Sequence, residues 1–291
     1  MYFVGIGAQK AGTTTLARLL DAHKEIAFSP IKELHYFDEK HIDTFSIFEN
    51  IFENRFKTLL NRFAQESPLG DAQIARIKTL NDRVCLSKGR FDYPTFFKRQ
   101  FDLSQYKCWG EITPAYALLP VKGFKEIYNF YPNAKIIFIL RDPIDRIKSH
   151  IRFEKKRKYR TFLEKPLTKI ALDPEFGDRS RYDLTLNRLL EVFPKKNIHV
   201  CFFDDLVSHQ QDFFDGICDF LNVSRMTLSK GLLHNKSKAS LNLEQLDEEP
   251  LLEMFESTYK AVASFVDRPL PRSWKRSGPV FLNRDGHGIS T

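Results

Sequence analysis

Apolar positions alternate between two periods along this chain. Tyr2–Ile6 is a short unbroken apolar run with the length of a buried strand. A glycine-rich turn follows at Gly7–Gly12. Thr13–His23 then carries Leu16, Leu19, Leu20 and His23 at helical spacing. Ile26–Phe28 reads as a second short strand, closed by Ser29-Pro30. Ala134–Leu140 (AKIIFIL) is the clearest strand, and it runs into Arg141-Asp142-Pro143. Asp142 suits an N-cap and Pro143 the first helical position, so a helix carrying Ile144, Ile147 and Ile151 begins there. Asn197–Phe203 (NIHVCFF) repeats the pattern, with Phe213, Phe214, Ile217, Phe220 and Leu221 after it. Strands separated by helices predict a parallel, doubly wound sheet.

The interval between the second strand and Ala134 differs. Phe45, Phe48, Phe52, Phe56, Leu59 and Phe63 recur at steps of three or four, which is one face of a helix. That face either packs into the core or walls a site for an apolar acceptor. Residues 64–106 carry further helical signals and few strand signals. Residues 39–106 therefore read as a largely helical insertion or lid within one domain, 1–280, and 281–291 as a frayed tail.

Composition narrows the class. With 42% hydrophobic and 28% charged residues, the 291-residue chain can bury a core. Its longest apolar runs fall far short of the roughly 20 residues a membrane span needs. Four cysteines, Cys85, Cys108, Cys201 and Cys218, show neither a CxxC nor a histidine-paired spacing. They read as reduced, buried thiols, and no metal site is expected. The opening MYFVGIGAQK lacks the pattern of a secretory signal, which favours a cytoplasmic enzyme of bacterial type over an excised Golgi-lumenal domain. A formal net charge of +8 favours an anionic partner without naming it. The densest basic run, 152–160 (RFEKKRKYR), is either a solvated helix end or a surface that guides such a ligand.

The chemistry sits in the first turn. Gly7-Ala-Gln-Lys10-Ala-Gly12-Thr13-Thr14-Thr15 follows a strand and opens a helix, the context in which backbone N–H groups and the helix dipole hold an anion. Gly7 and Gly12 have the spacing of a nucleotide P-loop, but the Lys-Ser/Thr pair that should follow is replaced by Thr13-Thr14. The lysine lies inside the loop instead. Strand 134–140 ends in Arg141 rather than in an acidic magnesium ligand. Both departures weigh against a Mg-dependent P-loop kinase.

QKAGTTTL at 9–16 resembles the 5′-phosphosulfate loop of the sulfotransferases that use 3′-phosphoadenosine-5′-phosphosulfate (PAPS). IIFILRDPIDRIKSH at 136–150 is similar to that family's 3′-phosphate segment, with Arg141 and Ser149 in its two binding positions. A fixed guanidinium can grip phosphate through two hydrogen bonds, and a helical serine adds a third. Weaker likenesses follow in order: GEITPAYAL (110–118), the helix opening at Tyr182, VCFFDDL (200–206), and HNKSKAS (234–240), where Ser237 and Lys238 fall in the loop that closes over the nucleotide. The stretch 251–274 resembles the family's terminal helix. Only 39–106 finds no counterpart.

The resemblance implies a P-loop-like central parallel sheet flanked by helices, and sulfuryl transfer from PAPS to an acceptor hydroxyl without a metal. The product would be adenosine 3′,5′-bisphosphate. Lys10, Ala11, Gly12, Thr13, Thr14 and Thr15 would hold the 5′-phosphosulfate, with Arg141, Ser149, Tyr182, Ser237 and Lys238 on the rest of the nucleotide. KELHYFD at 32–38 resembles the Glu-x-His-aromatic-Phe-Asp stretch of heparan-sulfate-type sulfotransferases, which makes Glu33 the expected general base, with His35 as rival or orienting group. Glu33 needs a partly desolvated pocket to raise its pKa toward neutrality, and a nearby Lys10 would push it back down. The acceptor is expected to be a glycan, a glycolipid or another alcohol, not a nucleic acid. The competing readings are a kinase and a non-catalytic module that binds nucleic acid or another anionic ligand.

Overall fold

The computed structural model describes residues 1–43, 48–64, 68–156, 165–229 and 246–277. Its frame is a five-stranded sheet of β1 (Tyr2–Gly7), β2 (Ile26–Phe28), β3 (Cys108–Ile112), β4 (Lys135–Leu140) and β5 (Ile198–Phe202). The spatial order is β2-β3-β1-β4-β5 and every pairing is parallel. All six residues of β1 are buried, as a central strand covered on both faces requires. The chain runs outward from β1 to β2, returns through β3, and crosses to the opposite flank at β4. The carboxyl ends of β1, β3 and β4 thus lie beside the point where the winding reverses, the usual place for a ligand crevice in such sheets.

Helices α1 (Thr13–Asp21), α2 (Tyr36–His41), α3 (Phe48–Phe63), α4 (Asp71–Ser87), α5 (Tyr93–Gln100) and α6 (Val121–Phe130) belong to the first flank of the chain. After β4 come α7 (Pro143–Lys156), α8 (Leu167–Leu172), α9 (Pro174–Gly177) and α10 (Tyr182–Leu190). After β5 come α11 (Phe203–Ser208), α12 (Gln210–Phe220) and α13 (Glu249–Phe265). One apolar core joins sheet and helices, from Phe3 and Ile6 through Phe138 and Ile147 to Phe255 and Trp274. Among the described residues no helix is long and apolar enough to cross a membrane. Cys108, Cys201 and Cys218 are buried free thiols and Cys85 is half-buried.

Two elements differ from the sequence expectation. Helix α1 stops at Asp21, and His23 instead packs beyond it, with Nε2 2.7 Å from the carbonyl oxygen of Ser224. Strand β3 lies between β1 and β2, where the sequence offers no apolar run, because Gly110 and Glu111 interrupt it. The phenylalanine stripe is real in α3: Phe52, Leu59 and Phe63 are buried. Phe45 lies outside the described residues.

Candidate active site

The loop between β1 and α1 is tightly folded. Gly12 caps α1 with φ of 89°, in the left-handed region that favours glycine, and no side chain caps the helix. A Cβ at Gly12 would stand 2.5 Å from Leu206 Cδ2, so packing as well as backbone demands glycine. Lys10 also takes positive φ, 71°. The Ala8 N–H donates to Ile139 O at 2.7 Å, tying the loop to β4, and the Ala11 N–H donates back to Ala8 O at 3.1 Å. Ala11 and Thr13 are buried and Thr14 is exposed, so the chain presents backbone N–H groups and the Thr14 hydroxyl at the mouth of α1.

Arg141 leaves the end of β4 toward this loop. Its Nη1 donates to Lys10 O at 3.3 Å, and its guanidinium lies 4.7 Å from the Phe203 ring centre. The corner beneath it is held rigidly. Asp142 caps α7 as expected, its Oδ1 accepting the Ile144 and Asp145 N–H groups at 3.0 and 2.9 Å. Its Oδ2 accepts the Tyr259 hydroxyl at 2.8 Å. Tyr182 is fully buried, and its hydroxyl donates to Arg141 O at 2.8 Å, so its contact is with the backbone of the corner. Ser149 is half-buried on α7, two turns beyond Arg141. Ser237 and Lys238 lie outside the described residues, as do 281–291.

Lys10 and Arg141 are both half-buried cations held close to one another. Burial first, and then the Arg141 charge, lowers the pKa of Lys10; burial likewise lowers that of Arg141. An anion in the crevice would relieve both. The Lys10 ammonium sits 3.9 Å from the Phe153 ring centre, an attraction of roughly 0.5–2 kcal/mol that is weaker than a charge-assisted bond to an oxyanion.

The Lys32–Asp38 stretch reaches the same place. Lys32 Nζ donates to Thr14 Oγ1 at 2.8 Å, joining this turn to the loop. Glu33 lies between Lys32 and His35, 3.6 Å from Lys32 Nζ and 3.6 Å from His35 Nε2. The other ring nitrogen of His35, Nδ1, is 2.6 Å from Oδ2 of the fully buried Asp38. Carboxylate, imidazole and carboxylate therefore form a chain that fixes the ring. Burial pushes the Glu33 carboxyl up, but the His35 contact and the Lys32 charge outweigh it and leave the pKa below the ordinary value. The balance between desolvation and nearby charge, open in the sequence, falls on the lowering side through His35 and Lys32. Burial pushes His35 down, but Asp38 and Glu33 prevail and its pKa is raised.

A profile of the sulfotransferase family matches residues 3–227. The chain belongs to the sulfotransferase family. Human carbohydrate sulfotransferase 15 is 24% identical over 292 residues, covering 91% of this chain and 51% of that protein, so the chain spans about half the length of this relative. The crystal structure of a sulfotransferase from Alicyclobacillus acidocaldarius superposes with a TM-score of 0.62 at 21% identity, covering 94% of this chain and 98% of that one. The shared fold is the parallel sheet flanked by helices described above.

Some groups at this site carried no signal of their own in the sequence. Arg83 and Glu111, both fully buried, bond directly to the backbone of the Glu33–Tyr36 turn or to groups that do. Arg179 acts electrostatically on Glu33 and Asp38 from the segment after α9. Arg83 and Arg179 belong to no local motif, and Glu111 lies inside the GEITPAYAL segment without a role assigned to it there; sheet order and the packing of α4 bring Glu111 and Arg83 to the turn.

Proposed function

We propose that this protein transfers the sulfuryl group of PAPS to a hydroxyl of a carbohydrate-like acceptor, with Glu33 as general base. The observation that carries the reading is the convergence of three segments: Arg141 on the Lys10 carbonyl at 3.3 Å, and Lys32 on Thr14 at 2.8 Å, which brings Glu33 to the loop. The donor set fits PAPS. Lys10, Arg141, Lys32, the hydroxyls of Thr13, Thr14 and Thr15 and the open first turn of α1 can all serve oxyanions, and two neighbouring cations whose pKa values are lowered chiefly by burial call for an anionic partner.

PAPS supplies an activated sulfuryl group on a phosphate leaving group. The chain's own work is positioning and electrostatics. Loop 10–15 holds the 5′ end, with the Ala11 and Gly12 backbone close against it. Lys10 neutralises charge that grows on the bridging oxygen. Arg141 and Ser149 take the 3′-phosphate, Tyr182 holds the Arg141 backbone in place, and Ser237 and Lys238 close over the nucleotide. Glu33 accepts the acceptor's hydroxyl proton as the oxygen attacks sulfur, and adenosine 3′,5′-bisphosphate leaves. A base with a lowered pKa stays ionised across the neutral range, so it is ready at the expense of proton affinity. His35, anchored by Asp38, orients it. No step requires a metal. Residues 1–280 act as one cytoplasmic catalytic domain in this reading.

Support for a sugar acceptor comes from the Glu33–Asp38 stretch and from the name of the human relative. A radiolabelled-sulfate transfer screen from PAPS across glycans, glycolipids, phenols and hydroxy-lipids tests the reading, with Glu33→Gln and His35→Ala beside wild type. Transfer to a sugar hydroxyl that Glu33→Gln abolishes is the expected result. Absence of transfer to every class would overturn it.

A further inference from the structure

The turn that carries Glu33 and His35 has a backbone that does not hold itself. φ is 61° at Glu33 and 52° at His35. Left-handed conformation is unfavourable for a non-glycine residue, and it persists only where surrounding groups impose it.

Two fully buried charges from distant parts of the chain do so. Arg83, on α4, donates through Nε to Leu34 O at 2.7 Å and through Nη2 to His35 O at 3.2 Å. The same Nη2 reaches Glu39 Oε2 at 2.7 Å, Nη1 meets the Ser87 hydroxyl, and the guanidinium lies 4.2 Å from the Phe52 ring centre. Glu111, near the carboxyl end of β3, accepts the Leu34 N–H at 3.1 Å. It also accepts the hydroxyls of Thr113 at 2.6 Å, Tyr93 at 2.6 Å and Tyr116 at 2.8 Å. Tyr116 in turn accepts the Tyr36 N–H at 3.1 Å. The carbonyls of the turn are thus gripped by a cation and its amides by a carboxylate and that carboxylate's own partner.

Resting on the reading of Glu33 as the base, we infer that Arg83 and Glu111 are positioning residues that hold the Glu33–His35 turn in its reactive geometry, and that α4 is a fixed brace for this turn rather than a moving cover. The fork of Arg83 is what matters: a lysine ammonium cannot reach Leu34 O, His35 O and Glu39 in one plane. A turn released by about 1 Å would lose the Glu33–His35 register, and displacement of that size can cost about 10²-fold in rate.

Arg83→Met removes charge and fork at similar volume, and Arg83→Lys keeps the charge alone. Each is compared with wild type by calorimetry of adenosine 3′,5′-bisphosphate, by turnover, and by NMR titration of the His35 ring, which needs no turnover. The groups that bear on that ring are Glu33 and Asp38 in contact, Lys32 through Glu33, and Arg179 acting on both carboxylates. The expected result is nucleotide affinity within about threefold of wild type, turnover lower by about 10²-fold, and a displaced His35 midpoint. A folded Arg83→Met variant with wild-type turnover and wild-type His35 titration overturns the brace. Should that variant not fold, Arg83→Lys and Glu111→Gln decide by the same readouts. Full turnover in Glu33→Gln would remove the base assignment instead, and the brace would then stand or fall on the His35 titration alone.

Discussion

Arg141 Nη1 donates to the main-chain carbonyl of Lys10 at 3.3 Å, across 131 positions of sequence. This one contact joins the loop after β1 to the corner after β4, the two segments that would hold opposite ends of a doubly phosphorylated nucleotide. Its consequence is selective. Arg141→Ala should weaken binding of adenosine 3′,5′-bisphosphate by about 10–100-fold, as expected for loss of a charge-assisted bidentate contact. Adenosine 5′-monophosphate should lose far less. Calorimetry with both ligands checks this, and equal losses for the two would remove Arg141 from the 3′-phosphate.

Lys10 bears on chemistry more than on folding. It is half-buried, its ammonium rests on Phe153, and no helix or strand depends on it. Lys10→Ala should lower turnover by about 10²–10³-fold, the range seen when one preorganised donor to a developing charge is removed. Its thermal midpoint should stay close to wild type. Steady-state rates beside thermal melts test this, and an unchanged rate would leave the bridging oxygen without its cation.

The opposed shifts of Glu33 and His35 give two pH signatures. His35 has a folded pKa above 6.5, so the stability its charge contributes is complete below pH 6.5 and is lost as pH rises through the raised value. Glu33 has a folded pKa below 4.5, so its contribution is complete above pH 4.5 and is lost as pH falls through the lowered value. His35→Gln should therefore flatten the decline in melting temperature above pH 6.5. The same change removes a group that lowers the Glu33 pKa, so the acid limb of kcat/KM should move to higher pH. Superimposable wild-type and His35→Gln profiles would refute the contact.

Gly12 is confined by conformation and by space. Alanine there must adopt φ near 89° and bring its methyl 2.5 Å from Leu206 Cδ2 and 3.1 Å from Phe203 Cδ2. Gly12→Ala should cost about 1–3 kcal/mol in urea unfolding. Because Phe203 also underlies the Arg141 guanidinium, nucleotide affinity should fall with it. Stability equal to wild type would show that the loop accommodates a side chain.

The sequence by itself determined the strand–loop–helix units, the family and the acid-capped Arg141 corner, because these rest on local signals: apolar runs, a glycine turn, and an Asp-Pro helix start whose cap the structure reproduces. It also brought Glu33, His35 and Asp38 forward as a group, because all three fall in one contiguous stretch, 32–38, that resembles a segment of the family. Strand β3 was hidden because Glu111 breaks its apolar pattern. A carboxylate is tolerated there only where Leu34, Tyr93, Thr113 and Tyr116 supply four donors, and two of those four, Leu34 and Tyr93, are remote in sequence. The direction of the Glu33 pKa was equally hidden, since it follows from 3.6 Å contacts balanced against burial. Arg83 looked like any helix arginine until tertiary packing buried it against two carbonyls. Tertiary structure alone decided which distant charges meet, because the energy of a buried charge depends on its neighbours in space and leaves no periodic trace along the chain.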